Sequence, residues 1–133
     1  MIAYVGSASN CSHGLAVALK DDPAANFAGA TAVASGHGAV GGGVWRLPAI
    51  QDWKYMFIGR GNGAGPSATT MNYSCFNSKL ATAGTALKSD YYWSSIENLY
   101  FNGKEATFDY TDITDGLSRH NSRAVSRSKV RDS

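Results

Sequence analysis

The sequence predicts an α+β domain with its helices in the first half of the chain and its hairpins in the second. Three observations carry this. Apolar residues recur at helical spacing in two stretches, Phe27/Ala30/Ala34 and Ile50/Trp53/Phe57. They alternate with a period of two around Leu15–Leu19 and again from Ala106 to Tyr110. Glycine-rich turn clusters separate the periodic segments, and runs of strands apart from runs of helices read as α+β.

The elements follow in order. Residues 2–5 read as a first strand, and residues 14–20 as a second, with Leu15, Val17 and Leu19 on one face. Asp22-Pro23 is a helix-start signal, because Asp can cap and Pro fits the first helical position. It predicts a small-residue helix over 23–34. Ser35 to Gly43 is a glycine-rich loop in which His37 reads as exposed. Val44–Pro48 is extended and leads into a helix carrying the Ile50/Trp53/Phe57 stripe. Ala49 at its cap position offers no capping oxygen, and Asp52 in its first turn suits the positive helix end. Residues 59–70 form a loop. Its Gly59-Arg60-Gly61-Asn62-Gly63 run is no phosphate loop, since a helix precedes it and no Lys follows. A short helix within 71–82 ends near Gly84. Tyr91–Ser95 and Glu105–Thr111 are strands, the second with Ala106, Phe108 and Tyr110 facing one way and Thr107, Asp109 and Thr111 the other. Arg123–Ser126 is the last strand, and 127–133 a polar tail.

Length and composition narrow the function. The chain has 133 residues, which suits one domain, 1–126, ahead of that tail. Charged residues are 17% and the net charge is +2, too weak for a nucleic-acid partner, which requires a dense basic face. Arg119, Arg123, Arg127, Lys129 and Arg131 crowd the end of the chain, either as a solvated tail or as a phosphate- or glycan-facing patch. Cys11 and Cys75 are the only cysteines, compatible with one disulfide or with two reduced thiols, and no Cys/His cluster suggests a metal. Met1–Val5 is too short for a signal core, and no apolar run reaches the roughly 20 residues needed to span a bilayer, so membrane insertion is not expected.

Catalytic patterns are missing as well. Ser, Asp, His13, His37 and His120 are present, but in no nucleophile–base arrangement such as GxSxG, and Asp112 and Asp115 flank a turn. The chain is therefore expected to be non-enzymatic and to need no cofactor.

Three phrases in order carry a resemblance: Val44-Trp45-Arg46-Leu47-Pro48 with Trp53, then Tyr91-Tyr92-Trp93-Ser94-Ser95, then Ser122-Arg123-Ala124-Val125. The opening Tyr4-Val5-Gly6 and Gly14–Leu19 fit the same pattern. Together they resemble the C-type-lectin-like domains of bacterial and phage surface proteins. These include variable proteins of diversity-generating retroelements, fimbrial-type proteins of gut Bacteroidales, and the formylglycine-generating-enzyme-like branch of the fold. The resemblance implies two main helices packed on short, mostly antiparallel sheets. It also implies a surface-displayed module that binds a protein or glycan ligand on a cell or phage surface.

In retroelement variable proteins a rigid scaffold backs a segment whose adenine-containing codons are diversified. The stretch after Trp93 is written in that alphabet, as in Asn98–Asn102, Tyr110–Asp115 and Ser118–Asn121. The ligand-facing segment is thus placed at about 94–123, with Ile96, Asn98, Tyr100, Asn102, Thr107, Asp109, Tyr110, Asp112, Thr114, Ser118, His120 and Asn121 as the displayed residues. Trp45, Leu47, Trp53, Phe57, Trp93, Phe108 and Val125 would form the supporting frame. Two departures stand out: Thr107 occupies a position where relatives commonly carry an aromatic, and Ser126–Ser133 is polar where they end on an apolar strand. A non-diversified fimbrial or cell-surface adhesin of the same fold is the alternative. The enzyme branch uses closely paired late cysteines, and Cys75 has none beside it. Calcium-dependent sugar lectins use an acid-Pro-Asn loop and a Trp-Asn-Asp strand, and both phrases are missing.

Overall fold

The computed structural model describes residues 2–4, 15–37, 44–59, 69–96, 98–108 and 119–127. Its first helix starts at Asn26 rather than at the Asp22-Pro23 pair. Strand β1 spans Ile2–Tyr4, β2 Leu15–Val17 and β3 Asp22–Ala25, and helix α1 then runs over Phe27–Ser35. The Asn26 Oδ1 accepts from the Gly29 N–H at 2.8 Å, satisfying one donor that a helix start leaves open. Asp22 is not free to cap, because both its carboxylate oxygens lie 3.0 Å from His37 Nε2. His37 is accordingly half-buried and not the exposed loop residue its glycine-rich surroundings suggest, and its ring lies 6.0 Å from Trp45.

Strand β4 (Trp45–Arg46) leads into α2 (Ile50–Gly59). Ala49 starts α2 without a side-chain cap: its carbonyl accepts from the Trp53 N–H at 3.2 Å. The deficit is met from inside the helix, where the fully buried Asp52 carboxylate reaches back to the Ala49 N–H at 2.8 Å and also pairs with Arg46. This is the reciprocal half of a capping box. The expected stripe holds, with Trp53 and Phe57 fully buried and Ile50 packed at the edge.

The short helix expected within 71–82 is present and ends at Gly84, as its spacing suggests. Strand β5 (Thr70–Asn72) comes first, and α3 covers Ser74–Ala83. The Gly84 N–H closes α3 on the Leu80 carbonyl at 2.8 Å. A Cβ on Gly84 would stand 2.4 Å from the Leu19 carbonyl oxygen, so this crossing admits only glycine without a backbone shift.

Five strands complete the chain: β6 Tyr91–Trp93, β7 Asn98–Phe101, β8 Glu105–Thr107, β9 His120–Ser122 and β10 Val125–Arg127. One sheet has the order β1-β2-β10-β4 and the other β3-β9-β6-β7-β8-β5. Every pairing is antiparallel except β6 with β9. Early and late chain therefore meet in both sheets, through β2 with β10 and through β3 with β9.

The six-stranded sheet alternates its side chains between two faces, one on the main core and the other partly covered by α1. Tyr92, Leu99, Phe101 and Ala106 point into the main core, which also holds Trp53, Met56 and Phe57 of α2, Phe76 and Leu80 of α3, and Val17 and Val125 of the smaller sheet. Trp93 joins a second cluster with Ala30 and Ala34 of α1, Leu47 and Ala124. The expected frame is thus divided: Trp53, Phe57, Phe108 and Val125 lie in one core, and Leu47 and Trp93 in the other with Trp45 against it.

Several expectations need correction. Of the proposed Leu15/Val17/Leu19 face, Val17 is fully buried but Leu19 is exposed. Arg123, counted with the basic tail, is wholly buried. Arg119 is exposed and donates to the Ala24 carbonyl at 2.7 Å. Cys75 is an exposed free thiol on α3, whereas Cys11, Lys129 and Arg131 lie outside the described residues.

Candidate ligand-facing surface

Register decides which late residues share a face. Tyr91 sits opposite Tyr100, Tyr100 opposite Thr107, and Trp93 opposite Asn98. Directly opposed residues in an antiparallel pair point to the same side of a sheet. Tyr91, Trp93, Asn98, Tyr100 and Thr107 therefore point away from the main core, while their neighbours Tyr92, Leu99, Phe101 and Ala106 fill it.

The outer side carries a row of rings. The Tyr91 ring lies 4.8 Å from Tyr100 and 5.3 Å from His120 of β9. His120 lies 4.6 Å from Trp93, and Trp93 meets Phe27 of α1 edge-on at 5.4 Å. These separations suit aromatic pairs, which prefer tilted or edge-to-face contacts. Tyr100 and Phe27 are each 37% exposed, Tyr91 and His120 are half-buried, and Trp93 is covered. Trp93 is also pinned, its indole N–H donating to the Ala25 carbonyl at 2.8 Å.

The displayed set read from the sequence is divided by the fold. Tyr100, His120 and Thr107 share the outer face, and Ile96 is 70% exposed just beyond the end of β6. Asn102 is exposed, but its Oδ1 accepts from the Lys104 and Glu105 N–H groups at 2.9 and 2.7 Å, shaping the turn in which Gly103 adopts φ +95°. Asn98 and Asn121 are not displayed. Asn121 is buried, and its amide donates to an Asp90 carboxylate oxygen at 3.1 Å and to the Tyr91 carbonyl at 3.2 Å, bracing the strand under the ring row. Asn98 is fully buried, with neither its amide nitrogen nor its oxygen hydrogen-bonded. Asp109, Tyr110, Asp112, Thr114 and Ser118 lie outside the described residues.

Two members of the row escaped the sequence reading. Tyr91 precedes the segment taken as displayed; the signal that points to it is the period of two in a strand, which puts Tyr91 and Trp93 on one face. Phe27 was grouped with Ala30 and Ala34, of which only the alanines are buried.

Beneath this surface lies a polar knot. The Arg123 guanidinium donates to Asp21 at 2.8 Å and to the carbonyls of Thr85 and Ala18 at 2.8 and 3.2 Å. The other Asp21 oxygen accepts from the Tyr92 hydroxyl at 2.7 Å, and that hydroxyl accepts from the Lys88 N–H at 2.9 Å. Burial, reinforced by the hydrogen bond to Asp21, holds the Tyr92 phenol far above its ordinary value. Arg123 directly follows β9, so the knot fixes the strand that carries His120.

Among the described residues no group of three or more His, Cys, Asp or Glu is placed to hold a metal ion. No described helix is long and apolar enough to cross a membrane. Comparison with family models, with curated proteins and with solved structures gives no match. The reading of this surface rests on its own geometry: a row of half-open rings on the outer side of a sheet whose inner side is core.

Proposed function

We propose that this protein is a non-enzymatic ligand-binding module, a C-type-lectin-like scaffold that presents a diversifiable face to a protein or glycan receptor, as retroelement variable proteins do. The observation that carries this reading is the Tyr100–Tyr91–His120 row, in which residues far apart in sequence converge on one outer face. Tyrosine is favoured in evolved binding surfaces because it offers a large amphipathic contact at low entropic cost. Helices on short, mostly antiparallel sheets also support the lectin-like reading, with α3 a third helix beside the two it implies. Such a module would act while exposed on a cell or phage surface.

Sequencing the gene's neighbourhood and its siblings tests the reading. A reverse-transcriptase gene with a template repeat is expected, and siblings should differ at codons for outward residues such as Tyr100, Thr107 and His120. Asn98, Asn121 and Arg123 should stay constant. Sibling differences spread evenly over both faces of the six-stranded sheet, or no template repeat, would overturn it.

A further inference from the structure

Next to the ring row lies an open groove that shares only Phe27 with it. Phe27 and Thr31 of α1 form one wall, Leu47 and Ala49 of the β4–α2 connection the other, and Arg46 and Ser95 complete it, around about 580 Å³. That volume lies within the usual range for small-ligand sites. The Ser95 N–H donates to the Pro48 carbonyl at 2.8 Å, so the two chain segments that frame the groove are tied together.

Arg46 gives the groove its chemistry. Its Nη1 alone is committed, to the buried Asp52 carboxylate and to the Leu47 carbonyl at 3.3 Å. Among the described residues, Nε and Nη2 have no acceptor, and the side chain is 36% exposed. The ion pair thus anchors one arm of the guanidinium and leaves the Nε/Nη2 edge open. That edge is the one that grips a carboxylate through two parallel hydrogen bonds. Thr31 donates its hydroxyl to the Phe27 carbonyl at 2.9 Å, which leaves the walls chiefly apolar.

We infer that this groove is a binding site for a small carboxylate carried on an apolar chain, with the carboxylate on the free edge of Arg46 and the chain between Phe27 and Leu47. The assignment does not depend on the display reading. Its test measures occupancy of the groove and is blind to whether the ring row varies.

Hexanoate is the probe, with hexanol as its uncharged counterpart. Each is titrated into nitrogen-labelled protein while the Arg46 Nε–Hε signal and the amide signals of Thr31, Leu47 and Ser95 are followed. Hexanoate should shift them saturably and hexanol should not. Arg46→Lys keeps the charge but loses the fork, and should weaken hexanoate binding about tenfold, as expected for lost hydrogen bonds to a charged group. Thr31→Trp fills the groove from an exposed helix position and should abolish the response, so the test survives even if Arg46→Lys unfolds the chain. The absence of a saturable shift, equal binding of hexanoate and hexanol, or an unchanged response in Thr31→Trp would each overturn the assignment.

Discussion

Arg123 and Asp21 stand 102 residues apart in the chain, yet the guanidinium meets the carboxylate at 2.8 Å with the arginine side chain wholly buried. A buried charge is tolerable only when it is paired and its remaining donors are used, and here backbone carbonyls take them. The pair joins the segment before β3 to the segment after β9, next to the pairing of those two strands.

Removing one partner is expected to be costly. Arg123→Met should destabilise the fold by about 3–5 kcal/mol, because it leaves the Asp21 carboxylate poorly compensated. Arg123→Lys should recover only part of that loss, since an ammonium cannot reach Asp21, Ala18 and Thr85 with one planar fork. Urea-denaturation midpoints of the two variants would check both statements.

The same knot predicts a response to alkaline pH. Tyr92 and Tyr73 both have folded-state values raised chiefly by burial. A raised phenol contributes stability that is fully present below the unfolded value, about 10, and is lost as pH rises through the folded value. Wild-type stability should therefore fall above about pH 10. In Tyr92→Phe one of these groups is gone, so its decline should be shallower and the gap to wild type should narrow. Denaturation series on both proteins from neutral to strongly alkaline pH would show the convergence or exclude it.

Asn98 points to an opposite kind of change. Both polar atoms of its buried amide go without partners, which costs roughly 1–3 kcal/mol. Asn98→Leu, similar in size and apolar, should leave stability unchanged or raise it by about 1 kcal/mol. A clear drop in the thermal midpoint would mean that the amide is satisfied in solution.

Frame and face should respond very differently to truncation. Trp53 is fully buried among Phe57, Tyr92 and Phe101, and Trp53→Ala should cost about 3–5 kcal/mol. Tyr100 contacts Tyr91 from an exposed position, and Tyr100→Ala should cost no more than about 1 kcal/mol. Calorimetry on the two variants separates them. Comparable losses would mean that the outer ring row is structural.

Local pattern made much of this legible. The Ile50/Trp53/Phe57 spacing identifies α2 and its buried side, and the Ala106/Phe108 alternation identifies the inward face of β8 and the residue after it. The Asp22-Pro23 pair points to a helix start four residues too early, and only the distant His37 shows that Asp22 is engaged elsewhere while Asn26 caps α1. Strand β5, ahead of the expected short helix, exists because β8 pairs with it, a partner more than thirty positions away.

The candidate surface divides in the same way. Composition and alphabet direct attention to the late segment, but they treat Asn98, Tyr100 and Asn121 alike. Burial then separates them, since register turns Tyr100 outward while packing covers the two asparagines. Sequence by itself determined the periodicities, and through them the helix stripe, the alternating strands and the α+β class, because these depend on neighbours within a few residues. Tertiary structure alone decided that Tyr91 joins Tyr100 and His120, that Arg123 is buried on Asp21, and that Arg46 is anchored on buried Asp52. Each of those outcomes depends on strand register and on contacts between distant segments, which no local pattern encodes.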